Sequence, residues 1–268
     1  MLKQRLITAL ILGPLALLGL FALEGSAFAL FTAAVVVLAA WEWARLSGLG
    51  RTGQWVYPLV LAAALASAWS QPHLWTQALW LALVFWCLAL LAVFTYPRTT
   101  HLWRCTSRRA FAGVLVLVPT WAGFQLLKQA GDLWLLYPLL LCWTADIAAY
   151  FAGRAWGQRK LAPAVSPGKS WEGVFGGLLA TSLLALVTAL WLGWPWQQVL
   201  LLLLLTCVIT GVSVLGDLTE SLIKREAGMK DSSQLLPGHG GIMDRIDSLT
   251  SAIPLFALFL LALLGGWL

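Results

Sequence analysis

The feature that most constrains this chain is the recurrence of apolar runs about 16 to 21 residues long through most of the sequence. A helix needs ~20 such residues to cross the hydrocarbon of a bilayer, so the runs predict a polytopic membrane protein. No in-and-out alternation suggests a β-barrel, which leaves helices as the spanning elements. The expected fold class is all-α, with about nine transmembrane helices near 6–23, 26–41, 55–70, 74–95, 110–127, 133–152, 173–193, 197–215 and 248–268. The run at 55–70, followed by "SQPH", is the weakest and would also suit a re-entrant piece. Losing it would invert the sidedness of everything after it.

Basic residues test that count, because Lys and Arg accumulate in alternate, cytoplasmic loops. With the N-terminus cytoplasmic, the inner segments hold Lys3, Arg5, Arg45, Arg51, Arg98, Arg104, Arg108, Arg109, Arg154, Arg159, Lys160, Lys169, Lys224, Arg225, Lys230 and Arg245. Of the 17 basic residues, only Lys128 falls outside. The C-terminus is then external. The net charge of +6 is therefore a basic face beside anionic headgroups, and no nucleic-acid partner is implied. "AFA" at Ala27–Ala29 resembles a signal cleavage site, yet the run before it continues almost directly into a second span, against cleavage. Cys87, Cys105, Cys142 and Cys207 lack paired or metal-type spacing and are expected to be buried packing residues.

The acids are unevenly placed. Glu24 and Asp132 lie at outer ends and Glu42 near an inner one, while Asp146, Glu172, Asp217, Glu220, Glu226, Asp231, Asp244 and Asp247 all fall in the C-terminal half near the cytoplasmic side. This divides the chain into residues 1–130, which supply helix packing and lipid access, and residues 131–268, which carry the chemistry. Asp146, in "WTADIAAYFAGRAWG", lies about two turns inside the membrane, where a carboxylate must be paired, solvated or bound to a cation. The plain alternative is a packing acid paired with Arg154 or Lys169. Asp217, after Gly216, repeats the pattern, the glycine allowing close approach of backbone or ligand.

"SPGKSWEG", Ser166 to Gly173, invites comparison with a P-loop, but Pro163 stands where that pattern needs glycine and no strand is expected before it. What remains is Lys169 and Ser170 at a helix N-terminus, which favours an anion, or a plain capped helix with a snorkelling lysine. Gly173 and Gly177 read as helix packing.

The longest polar stretch, "SLIKREAGMKDSSQLLPGHGGIMDRID" from Ser221 to Asp247, is expected as a loop between two spans. Lys224, Arg225 and Lys230 suit a polyphosphate, while Asp244 and Asp247, with Asp217 upstream, suit a hard divalent cation. Gly238, Gly240 and Gly241 permit a tight turn and close approach to phosphate oxygens. Asp244 and Asp247 share a helix face if the last helix begins early, with Arg245 pointing elsewhere, towards a phosphate or a headgroup. His239 is open between turn residue, general base and phosphate ligand. The plain alternative for the stretch is a solvated, salt-bridged connector.

These residues resemble the signature of the phosphatidate cytidylyltransferase (CDP-diacylglycerol synthase) family: S-x-aliphatic-K-R-x4-K-D-x-small-x2-L-P-x-H-G-G-x2-D-R-x-D. Ser221, Ile223, Lys224, Arg225, Lys230, Asp231, Ser233, Leu236, Pro237, His239, Gly240, Gly241, Asp244, Arg245 and Asp247 meet it without departure. With "DIAAYFAGRAWG" and "SPGKSWEG" the resemblance covers about residues 140 to 250. It implies attack of a phosphatidic acid oxygen on the α-phosphorus of CTP, releasing pyrophosphate and forming CDP-diacylglycerol, with Mg²⁺ required and a second cation allowed. The implied catalytic residues are Asp217, Asp244, Lys230 and His239, with His239 binding or positioning because the nucleophile is already an anion. Asp146, Ser166, Lys169, Ser170, Ser221, Lys224, Arg225, Asp231, Gly240, Gly241 and Arg245 are implied in substrate binding, and Asp217, Asp244 and Asp247 as metal ligands. Partners are CTP, phosphatidic acid and membrane lipids, with a homo-oligomer allowed; the location is a bacterial cytoplasmic (inner) membrane with the active site on its cytoplasmic side. The competing readings are another CTP-dependent lipid transferase or kinase, and a transporter, which would need related halves with matching broken helices.

Overall fold

The structure, a computed structural model, describes residues 2–264, with residues 2–7, 9 and 264 by backbone alone. Residues 265–268, the end of the ninth expected span and the external terminus, lie outside the described residues. Nine long helices are present among the described residues, one over each expected span: α1 (Leu2–Phe21), α2 (Gly25–Leu46), α3 (Arg51–Trp69), α4 (His73–Thr95), α6 (Thr106–Ala130), α7 (Asp132–Trp156), α8 (Trp171–Trp191), α9 (Trp196–Glu226) and α10 (Met243–Leu264). A four-residue helix, α5 (Thr100–Trp103), lies between α4 and α6. Among the described residues, seven of the nine are long and apolar enough to cross a membrane; α1 enters as a shorter apolar helix over Leu10–Phe21, and α3 is not among the seven. The weak run at 55–70 is one continuous helix, and the "AFA" sequence lies inside α2.

Side-chain contacts tie the loops into two ends. At one end Trp43 Nε1 donates to Arg109 O (2.7 Å), Tyr57 Oη to Ala110 O (2.8 Å), Tyr96 Oη to Glu226 Oε1 (3.0 Å) and Arg225 Nε to Val165 O (3.2 Å). At the other, Lys128 Nζ reaches Leu20 O (3.1 Å) and Asp132 (2.7 Å), and the Trp134 and Trp194 rings lie 6.1 Å apart. The helices alternate between these ends, so the basic loops gather at the first and Lys128 stands at the second. Gly131 alone separates α6 from α7; its φ of 122° reverses the chain in a conformation that a side chain would strain.

α10 is buried on nearly every side, with Ala252, Ile253, Phe256 and Ala257 at 1% exposure or less, because α6, α9, α4 and α7 surround it. α7 and α8 approach through glycines, as expected: a methyl on Gly173 would meet Ala149 O at 2.9 Å, and one on Gly177 would meet Ala145 O at 3.1 Å. Leu88, Phe111, Leu179 and Leu204 face outward as lipid-facing surface.

Three expectations need correction. The Ser221–Asp247 stretch is not one loop: α9 runs 31 residues to Glu226, supported by the Glu220–Lys224 pair one turn apart. A strand does accompany "SPGKS": β1 (Lys160–Ala162) pairs antiparallel with β2 (Ser166–Ser170), a hairpin too short to alter the all-α class. Of the four cysteines only Cys142 is buried; Cys87 and Cys207 are exposed on their membrane helices and Cys105 is exposed in the loop before α6.

Candidate active site

The hairpin carries Lys169 to the end of α8 and points it across at α9. Its Nζ lies 2.6 Å from Asp217 Oδ2, and Ser221 Oγ, one turn on, donates to Asp217 Oδ1 at 3.1 Å. The neighbouring Ser170 is the N-cap of α8, its hydroxyl accepting from Gly173 N at 3.2 Å, so it is spent on the helix end. Asp146, from α7, lines the same cavity of about 460 Å³ together with Arg154, Lys169, Ser170, Thr210 and Asp217. The plain alternative, a packing Asp146 paired with Arg154 or Lys169, is not formed: Lys169 goes to Asp217 and Arg154 donates to Tyr150 Oη at 3.3 Å. Arg245 is exposed. Ser166, at the start of β2, is half-buried opposite Ala162.

A second cluster begins one turn further along α9, at Glu220. Lys224 Nζ bridges Glu220 Oε2 (2.6 Å) and Asp244 Oδ1 (2.7 Å). The other oxygen of Asp244 accepts from Gly241 N (2.8 Å), Ser232 N (2.9 Å) and Ser232 Oγ (2.9 Å). The glycine turn therefore wraps a carboxylate of the chain itself, with Gly240 at φ 81° bringing the backbone round it. α10 does begin early enough to carry both Asp244 and Asp247, but they face different company. Asp247 Oδ1 accepts from Ser248 N at 2.8 Å. Gly216 admits backbone and not ligand, since a methyl there would meet Asp247 O and Ser251 Oγ.

Lys230 and Asp231 are exposed and make no ion pair among the described residues, whereas His239 is half-buried with its Nδ1 unbonded among them. Arg225 is exposed and fastens the hairpin turn through Val165 O. No group of three or more His, Cys, Asp or Glu side chains is arranged to hold a metal among the described residues. Asp217, with two donors, and Asp247, with one, are the carboxylates freer to take a hard cation, whereas Asp244 already takes four donors.

The sequence reading gave no role to Glu42. It is fully buried near the end of α2 and accepts from Ser232 Oγ (2.9 Å), Ser233 Oγ (2.5 Å), Ile242 N (2.9 Å) and Met243 N (2.7 Å). Thr8 Oγ1 also donates to Pro237 O at 3.0 Å, so both α1 and α2 touch the signature loop. The signal was available: Glu42 and Glu24 are the only acids in the first 130 residues, and an acid just inside an apolar span asks for a partner.

Fold and site together define a class, a helical membrane enzyme with its charges collected at one end of the bundle. Comparison makes it particular: the cytidylyltransferase family model matches residues 3–263, and the chain belongs to that family. It is 52% identical to a phosphatidate cytidylyltransferase of Pseudomonas aeruginosa, covering 100% of this chain and 99% of that one. A phosphatidate cytidylyltransferase of Haemophilus influenzae is 39% identical over 97% of this chain and 98% of its own, and one of Brucella suis is 34% identical over 96% and 93%.

Proposed function

We propose that the chain transfers a cytidylyl group from CTP to phosphatidic acid. A phosphate oxygen of the lipid attacks the α-phosphorus of CTP, the bond to the β-phosphate breaks, pyrophosphate leaves, and CDP-diacylglycerol remains. Full-length similarity to relatives bearing that name supports the reaction. The observation that carries the site is the Lys169–Asp217 pair, set with Asp146 in one cavity at the end of three membrane helices.

Two anions must meet, so repulsion between them is the main obstacle. Lys169 and Lys224 are the cations best placed to lower it, because each rests on carboxylates that it can leave when a phosphate arrives. Mg²⁺, held by Asp217 and Asp247 and completed by substrate phosphates, would supply further neutralisation of the triphosphate. Arg245, exposed at the start of α10, is suited to the lipid phosphate, and Lys230, exposed on the loop, to incoming CTP. His239 positions the glycine turn rather than taking a proton.

The lipid has somewhere to lie. An apolar groove of about 320 Å³, lined by Phe94, Leu161, Val174, Gly211 and Val214 among others, shares Val174 and Val214 with the polar cavity. Acyl chains in that groove would leave the phosphate beside Lys169. In our reading all nine long helices cross the bilayer, the N-terminus and the basic end are cytoplasmic, and the membrane is the bacterial inner one. Support comes from the gathering of the basic loops at the end that carries the site.

The test is a panel of lipid acceptors with purified protein and labelled CTP. Label should enter a CDP-lipid with phosphatidic acid and not with diacylglycerol. Label transfer to another phosphorylated lipid alone, or phosphorylation of a hydroxyl lipid, would replace this reading with the neighbouring transferase or kinase activity.

A further inference from the structure

We infer that Glu42 is a positioning residue for the transfer reaction, acting from the N-terminal half on Asp244 through the hydroxyl of Ser232. Both oxygens of Glu42 are filled, Oε1 by Ser233 Oγ and Ile242 N and Oε2 by Ser232 Oγ and Met243 N. Two of these donors are backbone N–H groups at the very start of α10, where helix N–H groups have no partner in their own helix and a negative charge is favoured. The other two are consecutive serines across the loop. One carboxylate thus ties both sides of the segment 232–243 to the end of α2.

Ser232 makes the tie directional. Its Oγ lies 2.9 Å from Glu42 Oε2 and 2.9 Å from Asp244 Oδ2, and a hydroxyl has one proton for the two. That shared contact is one of the four that fix Asp244 and the only one of them that also touches Glu42, and Asp244 in turn holds Lys224. Gly241 belongs to the same device: a side chain there would run into Ser232 Oγ and both Glu42 oxygens, so the motif needs glycine at 241 to let a distant helix reach the loop. Glu42 lies on α2, whereas the cavity is lined by α7, the β2–α8 segment and α9, so its effect passes through loop geometry.

The inference rests on the reading of Asp244 as catalytic, and the experiment separates the two. Asp244→Asn is measured first; near wild-type turnover would remove that reading, and the inference with it, whatever Glu42 does. Given an inactive Asp244→Asn, Glu42→Gln should keep KM for CTP and phosphatidic acid within about twofold while kcat falls on the order of a hundredfold, the scale of a small misplacement of reacting groups. Ser232→Ala should lower kcat as well, and the double variant Glu42→Gln/Ser232→Ala should be little worse than the poorer single one, because both break the same relay. Additive losses, or kcat retained in folded Glu42→Gln, would overturn the role. Where Glu42→Gln fails to fold, the serines decide: Ser233 touches Glu42 but not Asp244, so Ser233→Ala should cost clearly less kcat than Ser232→Ala. Equal losses would mean that Glu42 only packs the loop.

Discussion

Two sets of acids, one in each part of the chain, are held by opposite means. In residues 131–268, Asp217, Glu220 and Asp244 are matched to lysines, Lys169 and Lys224, on long side chains. In residues 1–130, Glu42 is held by two backbone N–H groups and two short hydroxyls. A lysine can swing from a carboxylate to an arriving phosphate, whereas an N–H at a helix start cannot leave. The first arrangement suits charges that must be redistributed during a reaction; the second suits a charge that must stay. Asp244 combines them, one oxygen on Lys224 and the other on the loop, and so stands where the fixed frame meets the exchangeable cluster.

The comparison breaks most visibly at Asp217. Replacement by Asn removes the partner of Lys169 and one of the two carboxylates proposed to hold Mg²⁺, so kcat/KM should fall by ~10²–10³. The cavity is open, which lets Lys169 reach water, and the protein should stay folded. Turnover near wild type at low Mg²⁺ would show that the exchangeable cluster is only structural.

Next in size is the separation of cations. Lys169→Ala and Lys230→Ala should lower kcat/KM for CTP more than for phosphatidic acid, Lys169 by ~10-fold or more because its charge sits within the cavity, and Arg245→Ala should do the reverse. Equal effects on both substrates from all three would mean one shared phosphate cluster. A smaller effect is expected in the groove. Val174→Trp narrows the wall common to groove and cavity, and should raise KM for long-chain phosphatidic acid by ~3–10-fold while leaving a short-chain analogue nearly unaffected, the range expected of a few apolar contacts. Equal losses for both chain lengths would place the tails elsewhere.

Much of this was legible in sequence because the signals are local. Apolar runs report helices directly, and a dense signature from Ser221 to Asp247 reports chemistry. Lys169 and Asp217 were each singled out, but not their pairing, since Lys169 reaches Asp217 across a hairpin that apolar patterning does not show. Spacing reveals which acids share a helix face, not which donors the fold sends to each, so the four donors on Asp244 were not legible. Glu42 was missed for the same reason in a stronger form. Its partners lie 190 to 201 residues away, and only packing of α2 against the loop before α10 brings them together.

The smallest effect tests where the N-terminal half places its loops. Cys105 lies in the loop between α4 and α6, at the end of the bundle that carries the site, and its Sγ is 3.1 Å from Ser107 Oγ. That hydroxyl first, and then the backbone N–H groups of Arg108 and Ser107 at the start of α6, favour the thiolate and push the thiol down to about 7. Below that pH the group is protonated and slow to alkylate; above it the thiolate dominates. In a variant with Cys87, Cys142 and Cys207 changed to Ser, labelling by a membrane-impermeant maleimide should therefore rise through pH 7 and level off about one unit higher. Ser107→Ala should move that midpoint upward without changing transferase activity more than slightly. The same labelling should occur in inverted vesicles and fail in intact cells. Labelling from outside would turn the basic end outward, and with it Glu42, the loop it holds and the cavity that Lys169 lines.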